Sequence, residues 1–423
     1  MDLVGSFNLT IRYIDDMREI LLAENNRCTG CGACQQSCKH DAITMVRDAE
    51  GFLIPEINYN NCIQCGLCQK RCPEIYPLQR LDYSGQDAYA LISKTDRKVS
   101  SSGGAFSVFA RWVIQQGGVV FGASIDDKFK VSHIAIERVE ELYLLRGSKY
   151  VQSDLGNSYM KVKDFITNGR MVLFSGTGCQ VAGLYAYLGG KRYEGLLYTL
   201  DLVCHGTPSQ GMFDSYLKKL QKKLALTGEN MKGFRFRKLD SWDYRPAVQL
   251  SESKERILTL SENVFMDAFF DGLTFRESCY NCQYCNTQRL GTFTIADFWG
   301  IGRHGRKFNK NVSCGVSLVI DNTGFMDKLM PDLEQYAYIE RRSMEEAIVE
   351  QTNLKHPMCR LNKRDTAVVD MMNEDISLVD YARKYGYPYK HNMKSIALEF
   401  SKRIIYALGL YNYYKTISYK LGK

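Results

Sequence analysis

The chain has no apolar run approaching the ~20 residues that a membrane-spanning helix requires. Its N-terminus has no basic region followed by an apolar core, so no export signal is predicted. No recognisable nucleic-acid-binding motif accompanies the net charge of +8, so no nucleic-acid partner is expected. These absences favour a cytoplasmic location. An apolar content of 45% and a charged content of 24% are ordinary for a soluble globular protein.

Cysteine is abundant, with 15 residues that lie mostly in groups. Disulfides are not expected without export, so the clustered thiols are interpreted as metal or redox ligands. Two runs repeat the spacing Cys-x2-Cys-x2-Cys-x3-Cys, and they consist of Cys28, Cys31, Cys34 and Cys38, then Cys62, Cys65, Cys68 and Cys72. This spacing is typical of bacterial ferredoxins with two 4Fe–4S clusters.

In such ferredoxins the fourth cysteine of each run binds the cluster of the other run. The pattern therefore predicts one cluster on Cys28, Cys31, Cys34 and Cys72, and a second on Cys62, Cys65, Cys68 and Cys38. Two zinc sites are the alternative, but a fourth cysteine three residues after the third, twice over, is the iron–sulfur arrangement. The radical S-adenosylmethionine spacing Cys-x3-Cys-x2-Cys does not occur.

Cysteines later in the chain form a third, dispersed group. Cys279 and Cys282 are paired near a turn, and paired thiols in a reducing compartment usually bind a metal. Cys204 ends a predicted strand, where α/β proteins usually place their chemistry. These three thiols, with either Cys179 or Cys285, could bind a further iron–sulfur cluster.

Three other residues near or outside this group have separate interpretations. His205 is interpreted equally as a proton donor near a redox centre or as a structural histidine. Cys314 and Cys359 are expected to be small core residues.

After the cysteine repeat, strand-like and helix-like segments alternate, which predicts an α/β domain with a largely parallel or mixed sheet. The predicted strands cover residues 88–93, 118–125, 132–138, 170–176, 197–204, 293–300 and 315–321. The predicted helices cover residues 105–116, 158–167, 180–188, 211–224 and 324–336. The fold class is thus an α+β ferredoxin-like module followed by an α/β domain.

Four regions are predicted along the chain. They are a lead-in at 1–24 with a short helix at 15–23, a ferredoxin domain at 25–82, the α/β domain at 85–345, and a helical basic tail at 346–423. From Arg383 onward the tail has nine Lys or Arg residues and one acid. Residues from 392 onward could lie on an anionic membrane surface or on a partner, but packing against the protein's own surface is favoured.

Two Gly-rich turns precede predicted helices of the α/β domain. In Ser100–Gly104 and in 175–178 (SGTG), backbone amides and hydroxyls converge where the pyrophosphate of a dinucleotide could bind. Ordinary helix caps are the alternative, because neither turn matches GxGxxG or a P-loop. With the segment 147–153, these turns supply the candidate cofactor-binding residues Ser101, Ser102, Gly103, Gly104, Ser148, Lys149, Tyr150, Ser175, Gly176 and Thr177.

Taken together, these segments resemble the coenzyme F₄₂₀ hydrogenase/dehydrogenase beta-subunit family. The resemblance rests on Ser100–Gly104, 147–153 (GSKYVQS), 174–184 (FSGTGCQVAGL), 201–209 (DLVCHGTPS), 234–238 (FRFRK), and CYNC followed by TIADFWGI at 294–301. It extends from about Ala88 to the 340s. It implies an FAD-binding domain with its own 4Fe–4S cluster, and it implies Cys179 as the fourth ligand, although Gly178 stands where the family usually has proline.

The resemblance implies an oxidoreductase that passes electrons between 4Fe–4S clusters and FAD. The flavin would exchange hydride with a small molecule, either a coenzyme F₄₂₀-like compound or a biosynthetic intermediate such as one of a polysaccharide pathway. An electron-transfer subunit that only feeds a partner enzyme is the alternative. An external electron donor or acceptor protein is the expected partner, and His205 and Lys149 are the candidate catalytic residues.

Overall fold

A computed structural model describes residues 20–80, 85–227, 230–239, 242, 244–390, 401 and 404. Most of the predicted lead-in and its helix lie outside these residues, and the described residues 20–23 are not helical. The tail segment from 392 onward, for which a membrane or partner contact was considered, also lies almost wholly outside them. Within the described part of the chain, no helix has both the length and the apolarity to cross a membrane.

The N-terminal module is a two-fold repeat of loop, helix and strand. Its elements are α1 (Ala33–Ser37), β1 (Ile43–Arg47), β2 (Leu53–Ile57) and α2 (Leu67–Lys70). Strands β1 and β2 form an antiparallel hairpin. Each short helix begins after a glycine in the left-handed region, Gly32 with φ 69° and Gly66 with φ 70°, a backbone conformation that side chains disfavour.

The remaining strands form one large sheet and one small sheet. They are β3 (Asp87–Ser93), β4 (Val119–Ile125), β5 (Val131–Ile136), β6 (Val172–Thr177), β7 (Leu197–Leu202), β8 (Gly233–Arg235), β9 (Ala247–Gln249), β10 (Glu255–Ile257), β11 (Phe293–Asp297), β12 (Ser317–Asp321) and β13 (Ala337–Arg342). The large sheet has the order β13-β3-β12-β11-β7-β6-β4-β5. Its central strands β11, β7, β6 and β4 are parallel, and the outer pairs are antiparallel. The predicted α/β class with a mixed sheet is therefore confirmed.

Helices cover the large sheet and extend the body beyond it. They are α3 (Ala105–Gln115), α4 (Leu142–Leu145), α5 (Ser158–Thr167), α6 (Gly178–Tyr187), α7 (Gln210–Leu224), α8 (Val264–Phe270), α9 (Met326–Leu333), α10 (Met344–Val349), α11 (Arg364–Met372) and α12 (Leu378–Tyr385). Each segment predicted as a strand or helix in the α/β region is present within a few residues. Helices α11 and α12 pack their apolar faces into the same core as α7 and α8, so this described part of the tail lies on the protein's own body.

Several short elements of the α/β region, among them α4 and α8, were not predicted, and one cysteine beyond that region was placed wrongly. Strand β13 was not predicted, because AYIERR is a charged edge strand that pairs only with β3. The small sheet of β8, β9 and β10 has strands of three residues, too short for a periodic pattern. Cys359, expected in the core, is exposed, whereas Cys314 is half-buried.

The N-terminal module packs tightly against the α/β domain. Arg364 of α11 is fully buried, and its guanidinium binds both carboxylate oxygens of Glu50, at 2.5 and 2.6 Å. At Gly183 of α6, a Cβ atom would lie 3.1 Å from the Cys31 sulfur. The first cysteine run is therefore seated directly on α6, which begins next to Cys179. The domain limits at 25–82 and 85–345 stay predictions.

Candidate redox site

One large cavity opens at the carboxyl ends of the parallel strands. It has a volume of about 280 Å³, and its lining includes Gly122 of β4, Thr177 of β6, Leu202 of β7 and Asp297 of β11. In open α/β sheets this edge is where ligands bind, because the loops after successive parallel strands converge there. The cavity is therefore the candidate binding site.

The cavity brings together three segments that are far apart in the sequence. It is lined by Ser101, Ser102 and Gly104, by Ser148, Lys149 and Tyr150, and by Ser175, Gly176 and Thr177, together with Cys179, Cys204 and His205. Gly103 does not line the cavity. A Cβ atom on Gly103 would collide with the backbone of Leu91 and Ser317, so this residue packs the turn onto the sheet.

The hydroxyl-rich end of the cavity lies at the start of α3. Gly104 caps this helix with φ 91° and supplies no side-chain cap. The backbone N–H of Ser148 donates to Ser101 Oγ at 3.4 Å, which joins the second segment to the first. The first amide of the helix, that of Ala105, donates to Ser317 Oγ at 3.3 Å, so the flanking serine hydroxyls are the groups that suit an anion such as a phosphate.

Lys149 is half-buried, and its ammonium group is already hydrogen-bonded to protein. Its Nζ donates to the carbonyls of Leu145 and Arg146, both at 2.9 Å, and lies 3.4 Å from that of Leu144. Burial lowers the pKa of Lys149 to about 7. The three donors of an ammonium group match these carbonyls at the end of α4, so the geometry indicates a positioning role. A catalytic role for Lys149 stays a prediction.

His205 follows β7, directly after Cys204. It lines the cavity together with a set of aromatic side chains, here called the aromatic wall, which consists of Tyr244, Phe269, Phe270 and Trp299. Burial lowers its pKa, although Asp297 acts in the opposite direction, so the imidazole is neutral at pH 7. Its ring is 6.3 Å from that of Phe269 at a steep angle. A neutral imidazole facing the cavity can donate or accept a proton, and its role as a catalytic group stays a prediction.

The aromatic wall and its buried ion pair were not among the predicted site residues. Asp297 accepts hydrogen bonds from Arg237 at 2.7 Å, Trp242 at 2.7 Å and Tyr244 at 3.3 Å. The Trp242 and Trp299 rings are stacked, with their centroids 4.6 Å apart. Asp297 and Trp299 belong to the TIADFWGI motif and Arg237 to FRFRK, so the sequence did mark these positions without indicating a role.

His133 is a further cavity residue that was not among the predicted site residues. Its Nε2 lies 3.0 Å from the Ser175 carbonyl, and its Nδ1 lies 2.8 Å from Ser153 Oγ. The carbonyl can only accept, so Nε2 carries the proton and Nδ1 accepts from the serine. Burial lowers the pKa of His133 to about 4, and the ring is therefore held neutral in one tautomer.

This environment predicts an acid-sensitive stability. An unfolded histidine binds a proton below pH ~6.5, while folded His133 does so only below about 4. The unfolded state therefore binds more protons between these values, and stability is lost as the pH falls from about 6.5 toward 4, by about 3 kcal/mol in total. Denaturant unfolding between pH 7.5 and 5.5 should show the first part of this loss, about 1 kcal/mol, and His133→Gln should flatten it. Parallel pH profiles of the two proteins would contradict the assignment.

The two ferredoxin-type cysteine sets each surround one small cavity. One is lined by Cys28, Cys31, Cys34 and Cys72, and the other by Cys38, Cys62, Cys65 and Cys68. Each cavity thus joins three thiols of one run with the fourth thiol of the other. Burial first, and then the neighbouring thiols, raise the pKa of Cys31 and Cys34, so thiolates there require a bound cation.

The third cysteine group meets beside the large cavity. Burial raises the pKa of Cys204, and so do the neighbouring Cys279, Cys179 and Cys282. Burial, together with Cys282 and Cys279, raises the pKa of Cys179 to about 12. Cys285 also contacts Cys282, but its sulfur lies 3.9 Å from the Cys204 carbonyl and 4.0 Å from Asn353 Nδ2. The geometry therefore favours Cys179 over Cys285, and ligation by either stays a prediction.

A single metal ion requires a tighter arrangement than these thiols show. Zinc holds four thiolates at about 2.3 Å from one point. In the portion of the chain that is described, no three or more His, Cys, Asp or Glu side chains are arranged to hold one ion. The cysteine spacing and the grouping of the thiols around shared cavities therefore indicate iron–sulfur clusters and not single metal ions.

Three thiol groups can be distinguished by their distance from the large cavity. The outer group is Cys38, Cys62, Cys65 and Cys68, the middle group is Cys28, Cys31, Cys34 and Cys72, and the inner group is Cys179, Cys204, Cys279 and Cys282. Cys65 of the outer group is exposed, and Cys68 of that group acts on the pKa of Cys34 in the next. The Tyr284 hydroxyl donates to Glu74 at 3.0 Å, and Glu74 lines the cavity of the middle group, so Tyr284 joins the segment of Cys282 and Cys285 to that group.

Comparison with known proteins finds two family matches. Residues 169–347 match the family described as the C terminus of the coenzyme F420 hydrogenase/dehydrogenase beta subunit, and residues 27–74 match a 4Fe-4S dicluster domain. A chain from a xenon-derivatised F420-reducing [NiFe] hydrogenase complex of Methanosarcina barkeri is 14% identical, with 73% of this chain and 96% of that chain covered and a TM-score of 0.43. No curated protein matches the chain.

The fold and the matched domains define an iron–sulfur electron-transfer protein. Residues 169–347 carry the C-terminal domain of the coenzyme F₄₂₀ hydrogenase/dehydrogenase beta-subunit family, and residues 27–74 carry a 4Fe–4S dicluster domain. The family expected from the sequence motifs is thus confirmed.

Proposed function

We propose that the protein is an iron–sulfur flavoprotein oxidoreductase with three 4Fe–4S clusters and one FAD. The observation that carries the proposal is that the cavity joins the serine-rich turns with Cys179 and Cys204 of the inner thiol group. A cofactor bound there would lie beside the inner cluster. Its cluster ligands would be Cys179, Cys204, Cys279 and Cys282.

The residues lining the cavity fit a flavin dinucleotide. The pyrophosphate would bind at Ser101, Ser102 and Ser148, at the start of α3. The isoalloxazine ring would lie toward Tyr244 and Trp299, whose rings are 5.7 Å apart and flank the Arg237–Asp297 pair. Aromatic faces with a few fixed polar groups are typical of such sites.

FAD bound in the cavity would take up two electrons, one at a time, with one proton, and release them together as hydride. The three thiol groups would hold the clusters, which supply one-electron transfer, and an external carrier protein would be the partner. His205 would hold a proton at its imidazole near the substrate, and Lys149 would fix the loop after α4. The substrate would be a coenzyme F₄₂₀-like compound or a biosynthetic intermediate.

Cofactor content of the anaerobically purified protein tests the proposal. About twelve iron atoms, as many sulfides and one FAD per chain are expected, since each cluster holds four of each. About eight iron atoms without flavin would contradict both the third cluster and the flavin site. Release of FMN or of no flavin, with twelve iron atoms present, would contradict the dinucleotide alone.

An electron-transfer subunit without a substrate of its own is the second candidate. It is favoured by the exposed Cys65 at one end of the thiol series, which suits exchange with a partner protein. A screen of hydride acceptors with the reduced protein separates the two. Turnover of a small molecule supports the enzyme, whereas oxidation only by a carrier protein supports the electron-transfer role.

A further inference from the structure

We propose that the hydroxyl of Thr177 donates a hydrogen bond to the Cys179 thiolate and thereby raises the reduction potential of the inner cluster. The inference rests on the proposed function, because it requires a cluster on Cys179. Thr177 Oγ1 lies 3.1 Å from Cys179 Sγ, within the range of a hydrogen bond to sulfur. This makes Thr177 a positioning residue of the redox centre in addition to its place in the cavity lining.

The direction of this hydrogen bond follows from the cap of α6. Thr177 is the N-cap residue of α6, and its hydroxyl oxygen faces the backbone N–H of Gln180 in a capping-box arrangement. In return, Gln180 Oε1 accepts from the Thr177 backbone N–H at 3.0 Å. The hydroxyl proton is not used by this capping box, and an iron-bound thiolate has no proton to give. The O–H group must therefore be the donor and the sulfur the acceptor.

A buried hydrogen-bond network holds the capping box in place. Gln180 Nε2 donates to Ser153 Oγ at 2.9 Å, and Ser153 in turn donates to Nδ1 of His133. The opposite side of that ring donates to the Ser175 carbonyl, two residues before Thr177. All three side chains are at most 8% exposed. The residues that hold the capping box are thus buried and fully hydrogen-bonded to one another, which fixes the position of the Thr177 hydroxyl in advance.

A donor aimed at a ligand sulfur withdraws charge from the cluster. Adding an electron then costs less, so the potential rises. Thr207 provides the internal comparison, because its hydroxyl lies 4.0 Å from Cys279 Sγ, too far for a strong bond. The same substitution at the two threonines should therefore have unequal effects.

Redox titration of the reduced clusters by electron paramagnetic resonance tests the inference. Thr177→Val removes the hydroxyl at nearly constant volume, and it should shift the midpoint potential of one cluster to a more negative value while the other two stay unchanged. Thr177→Ser keeps the hydroxyl and should restore the original potential. Thr207→Val, the matched control, should give a clearly smaller shift than Thr177→Val.

The outcomes separate this inference from the proposed function. About eight iron atoms in the unchanged protein would remove the inner cluster, and the proposed function with it. A full iron content in Thr177→Val with an unchanged potential overturns only the role of Thr177. If Thr177→Val does not assemble, Ser153→Ala loosens the network with Thr177 retained, and a negative shift supports the inference while an unchanged potential overturns it.

Discussion

A Cys204→Ala/Cys282→Ala variant should contain about eight iron atoms per chain, against about twelve in the unchanged protein. The two thiols lie in the inner group, remote in sequence from the ferredoxin-type runs, so the clusters of the outer and middle groups should remain. Dithionite should still reduce those clusters, but electrons should no longer pass from them to the flavin. Iron analysis and anaerobic absorption spectra of flavin bleaching measure both effects.

The control for this variant is Cys314→Ala/Cys359→Ala, which also removes two thiols. Cys314 is half-buried and Cys359 is exposed, and neither belongs to a thiol group. Its iron content and flavin reduction should be unchanged. Flavin reduction at the normal rate in Cys204→Ala/Cys282→Ala would contradict a path through the inner cluster.

Single substitutions separate the two candidates for the fourth ligand. Cys179 lies in the first turn of α6 and is close to Cys204, Cys279 and Cys282, whereas Cys285 contacts Cys282 and lies near protein polar groups. Cys179→Ala should therefore lose or alter the resonance of the inner cluster, and Cys285→Ala should leave it intact. The reverse pattern would assign the site to Cys285.

Local patterns explain why much of the site could be predicted from the sequence. The spacing within each cysteine run is typical of a cluster-binding loop, and a glycine such as Gly32 permits the left-handed backbone that this loop requires. The alternation of strands and helices indicates a sheet, and the carboxyl ends of parallel strands place Thr177 and Cys204 on one edge. These inferences need only neighbouring residues and the general rules of α/β folds.

The rest of the site depends on contacts between distant segments. His133 lies on β5, a strand whose pattern shows only that it is a strand, and its function in the network arises from Ser153 and Ser175 in other segments. Trp242 donates a hydrogen bond to Asp297, which lies 55 residues later in the chain. Nothing in local periodicity selects these pairs, so they could be found only in the folded chain.

The contact between the ferredoxin-type module and the α/β domain is of this second kind, and it depends on Arg276. Its Nε donates to the Cys28 carbonyl at 2.6 Å and its Nη1 to the Leu53 carbonyl at 3.0 Å. The guanidinium also lies 5.3 Å from the centre of the Phe52 ring. Arg276 is 2% exposed and stands three residues before Cys279, so one side chain joins the middle and inner thiol groups.

Arg276→Ala should destabilise the protein and slow electron flow between the middle and inner clusters. Two buried carbonyls would lose their donors, at about 1–3 kcal/mol each. Anaerobic denaturant unfolding should show the loss of stability. Rapid-mixing absorption should show that the clusters of the outer and middle groups reduce the flavin more slowly. Arg276→Lys, which keeps the charge but can reach fewer acceptors, should fall between the two proteins.

The matched control is Arg360→Ala. Arg360 binds Glu277, the next residue after Arg276, at 2.8 Å, but its side chain is 34% exposed. An exposed ion pair contributes only about 0–1 kcal/mol, so this variant should unfold and transfer electrons almost as the unchanged protein does. Equal effects of the two substitutions would mean that Arg276 is no more than one of many surface contacts. A specific loss in Arg276→Ala would show that seating the first cysteine run on the α/β domain controls electron flow.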